Sequence, residues 1–174
     1  MSRQIYKNLA ELNELERGEA AASFLDCCGS AVWAERMTDA RPFAMLEPMF
    51  AKAADIWFSL STVDHLEAFA AHPQIGSSKA ADSQAEQAAE WSKGEQASAV
   101  NTDDDTRREL AEINHLYHRK FGFIFIVCAT GKSADEMLAI GKARIGNSLE
   151  TELKIAAEEQ NKITQLRLAK LLER

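Results

Sequence analysis

Apolar residues recur at helical spacing along almost the whole chain, and only 3 Pro and 8 Gly in 174 residues interrupt them. Such a pattern leaves little room for a β-rich or loop-rich design and predicts long helices. Capping residues stand where the pattern starts and stops. A helix over 19–27 is expected to turn Ala22, Phe24 and Leu25 inward, and Ser30 to cap another over 31–37. After the break at Arg41-Pro42 the pattern resumes over 43–58 with Leu46, Met49, Phe50 and Trp57, where Pro48 predicts a kink or two shorter helices. Ser61-Thr62-Val63-Asp64 has capping-box spacing and opens a helix to residue 70 or 71. The stretch 82–99 is helical in composition, with Gly94 as an interruption. Thr102 is read as the cap of a helix over 103–120 with Leu110, Ile113, Leu116 and Tyr117 inward. Ser133 and Glu136 form a second capping box ahead of a helix to Ile145, and a long helix closes the chain over 149–172. Residues 121–129 alone have strand-like composition. The fold class is therefore all-α, a single-domain helical bundle over 1–174 with one short extended segment.

Charge and composition exclude several classes. The net charge of -7 offers no basic face for nucleic acid. No apolar run approaches the roughly 20 residues of a membrane span, and residues 1–15 lack a signal-peptide core. Cys27, Cys28 and Cys128 are odd in number, with two adjacent, which argues against a disulfide framework and for a reducing, cytoplasmic setting. His115 and His118, or His65 and His72, lack a third ligand at zinc spacing, so no metal is expected. Phosphate-cradling glycine motifs and the serine-hydrolase elbow are absent from the sequence.

A few residues stand out against this background. His72, at a helix end and fixed by Pro73, could hold an imidazole at a pocket mouth for acid–base work, though the pair alone fits a surface histidine equally. Ser92-Lys93-Gly94-Glu95-Gln96 has capping-box spacing, so it reads as a helix start whose free N–H groups and Gln96 amide could meet a carbonyl-rich ligand. Ser83 to Gln87 repeats that spelling, and spacing cannot choose between Glu86 and Glu95. Residues 121–129 could offer backbone groups to a small ring, or be a buried connector. Arg167 either snorkels at the surface or points inward as a fork for a carboxylate.

Taken in order, His72-Pro73-x-Ile75-Gly76, Ser92-x-x-Glu95-Gln96, Asn114-x-x-Tyr117-x-x-Lys120-Phe121-Gly122, Arg144-x-x-Asn147 and Leu166-Arg167-Leu168 form a specific set. From about Phe43 to Leu168 the chain resembles the 2-oxo-4-hydroxy-4-carboxy-5-ureidoimidazoline (OHCU) decarboxylases of uric acid degradation. The resemblance implies a cofactor-free carbon–carbon lyase that forms (S)-allantoin and CO2, commonly as a homodimer. It places the family's proton donor on His72 and a second catalytic group on Glu95. Substrate contacts fall on Pro73, on Ser92, Lys93, Gly94, Glu95 and Gln96, on Phe125, Ile126, Val127, Cys128 and Ala129, and on Arg167. The copy at Ser92 is preferred over that at Ser83 because its distance to Phe121-Gly122 resembles the family's. Two other classes compete: a helical binding module that keeps the fold, and a hydrolase of a related ureido ring.

Overall fold

The computed structural model describes residues 9–77 and 86–172. Its helices are α1 (Arg17–Cys28), α2 (Ala31–Asp39), α3 (Leu46–Phe58), α4 (Thr62–Ala70), α5 (Glu86–Glu95), α6 (Ala97–Val100), α7 (Asp104–Phe121), α8 (Ala134–Arg144) and α9 (Leu149–Leu172), with residues 9–14 helical ahead of α1. Among the described residues there is no strand, and residues 123–129 run as a non-helical segment. Two compact units are distinguished, one of Met1–Ala68 with Asn161–Arg174, the other of Phe69–Gln160.

In the first unit, α1 stops at Gly29, whose φ of 85° is the left-handed conformation that glycine adopts without strain; its N–H returns to Leu25 O at 2.8 Å. Ser30 then caps α2 by accepting from the N–H of Trp33. The core forms around Phe24, Trp33, Met37, Met49 and Trp57, all buried. Phe24 meets Trp33 and Phe43 edge-on, at centroid separations of 6.1 and 6.5 Å. The indole N–H of Trp33 donates to Ala53 O, so this large side chain leaves no buried donor behind. Arg41 donates to Leu12 O and Leu15 O, at the end of the helical stretch over 9–14.

Several local expectations need correction. Pro48 neither kinks nor divides α3. With Met45 as N-cap, Pro48 sits in the first turn, where no intrahelical acceptor awaits its missing N–H. Ala22 and Leu25 face out, since the inner stripe of α1 is Ala20, Phe24, Cys27 and Cys28. Leu116 likewise is exposed while Tyr117 is fully buried. In both cases the residue next to the central aromatic lies about 100° around the helix, outside the buried stripe. Asp103 caps α7 rather than Thr102, because its carboxylate accepts from the N–H of Thr106 at 2.9 Å.

In the second unit, α7 ends at Gly122, with φ of 80° and its N–H on His118 O. Ser133 and Glu136 make the expected reciprocal capping box of α8. Phe69, Tyr117, Phe121, Phe123 and Phe125 form an aromatic cluster, with centroid separations from 4.6 Å (Tyr117–Phe121) to 6.1 Å (Phe121–Phe123). Gly141 lets α8 approach α7 closely: a Cβ there would lie 2.7 Å from Cγ2 of Ile113 and 3.5 Å from the Phe125 ring. Gly141→Ala is therefore expected to lower stability. Overpacking costs about 1–3 kcal/mol against about 1 kcal/mol gained in helix propensity. Thermal unfolding reads the result as a fall of a few degrees.

Candidate active site

The break after α4 is a loop held by hydrogen bonds to its backbone from several sides. The His72 N–H closes on Phe69 O at 3.1 Å, and Pro73 ends any helical continuation. Gln96 grips the loop at two points: its amide N–H donates to Pro73 O at 3.3 Å and its Oε1 accepts from Gly76 N–H at 3.2 Å. Asn114 on α7 donates to Ile75 O at 2.7 Å. Gly76 has a φ of 80°, which a side chain would strain. Such a loop is preorganised before any ligand arrives.

The imidazole of His72 is buried at 8% exposure, which removes the surface-histidine reading. Its Nε2 lies 2.7 Å from Oε1 of Gln160, a side chain on α9 that is fully buried. An amide oxygen only accepts, so this contact is a hydrogen bond when Nε2 carries the hydrogen. Gln160 was not singled out in the sequence. Its signal was present all the same: an amide in register with the buried positions Ala156, Ala157, Ile163 and Thr164 of one helix.

The Ser92 motif lies elsewhere on its helix than expected. Ser92 does not start a helix but sits buried in the last turn of α5, whose inner positions are Ala88 and Trp91. The helix passes through Gly94 and ends at Glu95, so Gly94 does not interrupt it. Lys93 and Gly94 are exposed, Glu95 is half-buried and Gln96 is buried with both ends of its amide engaged. Ser83 lies outside the described residues, while Glu86 is exposed at the first turn of α5. Glu95 comes close enough to the Cys128 thiol to act on it electrostatically.

Phe125, Ile126, Val127, Cys128 and Ala129 are all buried, as a connector through the core would be. Side chains take up the backbone groups that no helix serves. Arg144 Nη1 donates to Ile126 O at 2.7 Å, Glu159 accepts from Cys128 N–H at 2.7 Å and Lys132 Nζ donates to Cys128 O at 2.7 Å. Burial raises the Cys128 thiol above the ordinary range, against the nearby Lys132 ammonium, and Glu159 and Glu95 push it further up. Glu159, like Gln160, was missed in the sequence, where it reads as one acid in an acidic helix.

Behind the segment lies a buried ion pair. Arg144 binds Glu152, which is wholly buried, through Nε and Nη2. Tyr117 donates its hydroxyl to the same Glu152 oxygen, and Asn147 donates to the other oxygen at 2.8 Å. The guanidinium also sits over the Phe125 ring at 4.9 Å. Burial first, and then the bond to Glu152, raises the Tyr117 hydroxyl well above its ordinary value. Arg144, Asn147 and Tyr117 belonged to the ordered motif set, and they meet at Glu152 behind the segment.

Arg167 belongs to the first unit. It is buried, so it does not snorkel, and Nη1 reaches Asp26 O at 3.4 Å. Its charge favours the Cys28 thiolate, yet burial dominates and the thiol is pushed up to about 12. Among the described residues no group of three or more His, Cys, Asp or Glu is arranged to hold a metal ion, and no helix is long and apolar enough to cross a membrane.

The sequence pattern of the OHCU decarboxylases matches residues 13–169, beginning well ahead of Phe43. The chain belongs to the OHCU decarboxylase family. It is 46% identical over 147 residues to the uric acid degradation bifunctional protein TTL of Arabidopsis thaliana, covering 83% of this chain but 45% of that protein. It is 27% identical to the 2-oxo-4-hydroxy-4-carboxy-5-ureidoimidazoline decarboxylase of Haloferax volcanii, covering 92% of this chain and 94% of that one. The chain thus spans less than half of the bifunctional relative and nearly all of the Haloferax protein. A crystal structure of OHCU decarboxylase in the presence of (S)-allantoin superposes with a TM-score of 0.75 at 41% identity, over 87% of this chain and 97% of that one. Its family and all-helical fold agree with the expectation drawn from the motif set.

Proposed function

We propose that this protein decarboxylates 2-oxo-4-hydroxy-4-carboxy-5-ureidoimidazoline to (S)-allantoin and CO2 in urate degradation. The observation that carries this reading is His72 itself, a buried imidazole with one ring nitrogen fixed by Gln160, on a loop pinned by Gln96 and Asn114. As the carbon–carbon bond to the carboxylate breaks, its electron pair moves into the conjugated carbonyl and imine system of the substrate. The protein then has two tasks, to stabilise that developing charge and to protonate one face of the carbon. His72 delivers the proton, and a donor held in one orientation yields one enantiomer. Glu95, beside the buried segment, orients the ureido group or the imidazole. The backbone groups of Phe125 to Ala129 that no side chain takes up, together with Ser92 and its neighbours, hold the ring.

Gln96, a substrate contact by the resemblance, also supports the loop that carries His72. Its amide ends hold the Pro73 and Gly76 backbone, so it acts on the substrate through the loop. Arg167 is assigned to a carboxylate or carbonyl oxygen by the resemblance. Only binding that strengthens towards the transition state accelerates the step, so its part is placement rather than neutralisation of the departing group. Assembly as a cytoplasmic homodimer belongs to the same proposal and is measured by sedimentation of the purified protein.

The test is circular dichroism of allantoin formed from freshly generated substrate, with CO2 counted alongside. Rapid appearance of the (S)-product signal with stoichiometric CO2 is expected. Racemic product at the spontaneous rate from folded protein overturns the proposal in favour of a binding module, and turnover without CO2 points to the hydrolase.

A further inference from the structure

We propose that Gln160 is a positioning residue that fixes the tautomer and orientation of the His72 imidazole, and so sets which ring nitrogen exchanges a proton with the substrate. The inference rests on the proton-donor reading of His72. Three observations carry it. The Oε1···Nε2 separation is 2.7 Å, a full hydrogen bond. Both side chains are buried, His72 at 8% and Gln160 at 0% exposure, so water competes poorly for the contact. The backbone on both sides is stiff, with Gln160 inside the 24-residue helix α9 and His72 on the loop held by Gln96 and Asn114.

The chemical consequence follows from the choice of an amide. A free imidazole divides its hydrogen between two nitrogens and rotates about its side-chain bonds. An acceptor aimed at Nε2 keeps hydrogen on that nitrogen, so protonation and deprotonation take place at Nδ1. A carboxylate in the same place would do this too, but it would also favour the imidazolium and make the ring a poorer proton donor. A neutral acceptor orients without that penalty. The neighbouring acid Glu159 is turned to the Cys128 N–H instead. Consecutive helix positions thus direct one side chain to the imidazole and the other to the buried segment.

The test uses two variants of the full chain. Gln160→Met keeps the length of the side chain and removes the acceptor. Long-range nitrogen–proton spectra of the ring, assigned by difference from His72→Asn, are expected to show the Nε2–H form in the wild type and both forms in Gln160→Met. Turnover number is expected to fall by about a hundredfold, as for a misaimed catalytic group, with KM changed little. Gln160→Glu keeps an acceptor at the same reach. It should retain the Nε2–H form and raise the pH midpoint of the His72 ring by about one pH unit or more. Every other charged group is the same in wild type and variant, so the difference reads position 160 alone. A single Nε2–H form and wild-type turnover in Gln160→Met overturn the inference. If that variant does not fold, an unmoved His72 midpoint in Gln160→Glu overturns it. Full activity in His72→Asn instead defeats the proton-donor reading, while the ring spectra still report on Gln160.

Discussion

Glu152→Ala is expected to destabilise the protein by about 3–5 kcal/mol, because it strands the Arg144 guanidinium in a buried site. Glu152 is wholly buried and receives hydrogen bonds from Arg144, Tyr117 and Asn147, so three donors lose their acceptor at once. Urea denaturation measures the loss as a lowered midpoint at unchanged slope. The double variant Arg144→Met with Glu152→Leu removes both charges and is expected to recover much of the deficit, since a well-packed apolar pair can match a buried ion pair. It does not restore the bond from Arg144 to Ile126 O. Stability and activity should therefore part company, with the double variant folded but its segment over 125–129 less firmly held. Equal stability of Glu152→Ala and wild type would show that the pair contributes nothing to folding.

His72→Asn is expected to lower kcat/KM by about 10²–10⁴-fold, the range associated with loss of a positioned general acid. Asparagine reproduces the Nδ1 edge of the imidazole and stops short of Gln160, so the fold should survive with one buried hydrogen bond lost and a melting point lowered by a few degrees. Residual product should lose its handedness, because the remaining protonation comes from water on either face. Circular dichroism of the product at equal conversion checks this directly. An (S)-only product at near-normal rate would remove His72 from the chemistry. The companion comparison is Glu95→Gln with Glu86→Gln. Loss of activity is expected only in the first, given the exposure of Glu86 and the electrostatic reach of Glu95 to Cys128.

Helix existence was legible because it depends on local patterns: apolar residues at helical spacing and caps at Ser30, Ser61 and Ser133. The exact inner face was less so. Leu25 and Leu116 are as apolar as their neighbours, and only the packing partner decides which side of a helix is buried. Ser92 was misplaced for a related reason. Capping spacing describes a local competition, and the buried stripe of Ala88 and Trp91 settles it in favour of a helix already under way. Position in the ordered motif set drew attention to His72, Glu95 and Gln96. It gave no hint that Gln96 would hold the loop by its backbone, because hydrogen bonds across 20 residues of sequence leave no periodic trace. Glu159 and Gln160 were hidden in the same way, their partners lying 31 and 88 residues away.

Helix α9 carries Glu152, Glu159 and Gln160 on one uninterrupted coil. Along such a coil each residue adds about 1.5 Å of rise and 100° of rotation. The outward positions of the helix are therefore free to change their chemistry one at a time, whereas its length between residues 152 and 160 is not free at all. Loss of one residue there would swing both Glu159 and Gln160 through about 100° relative to Glu152 and break two distant contacts together. A segment that looks like ordinary charged helix thus behaves as a ruler: its spelling is tolerant, and its count is not.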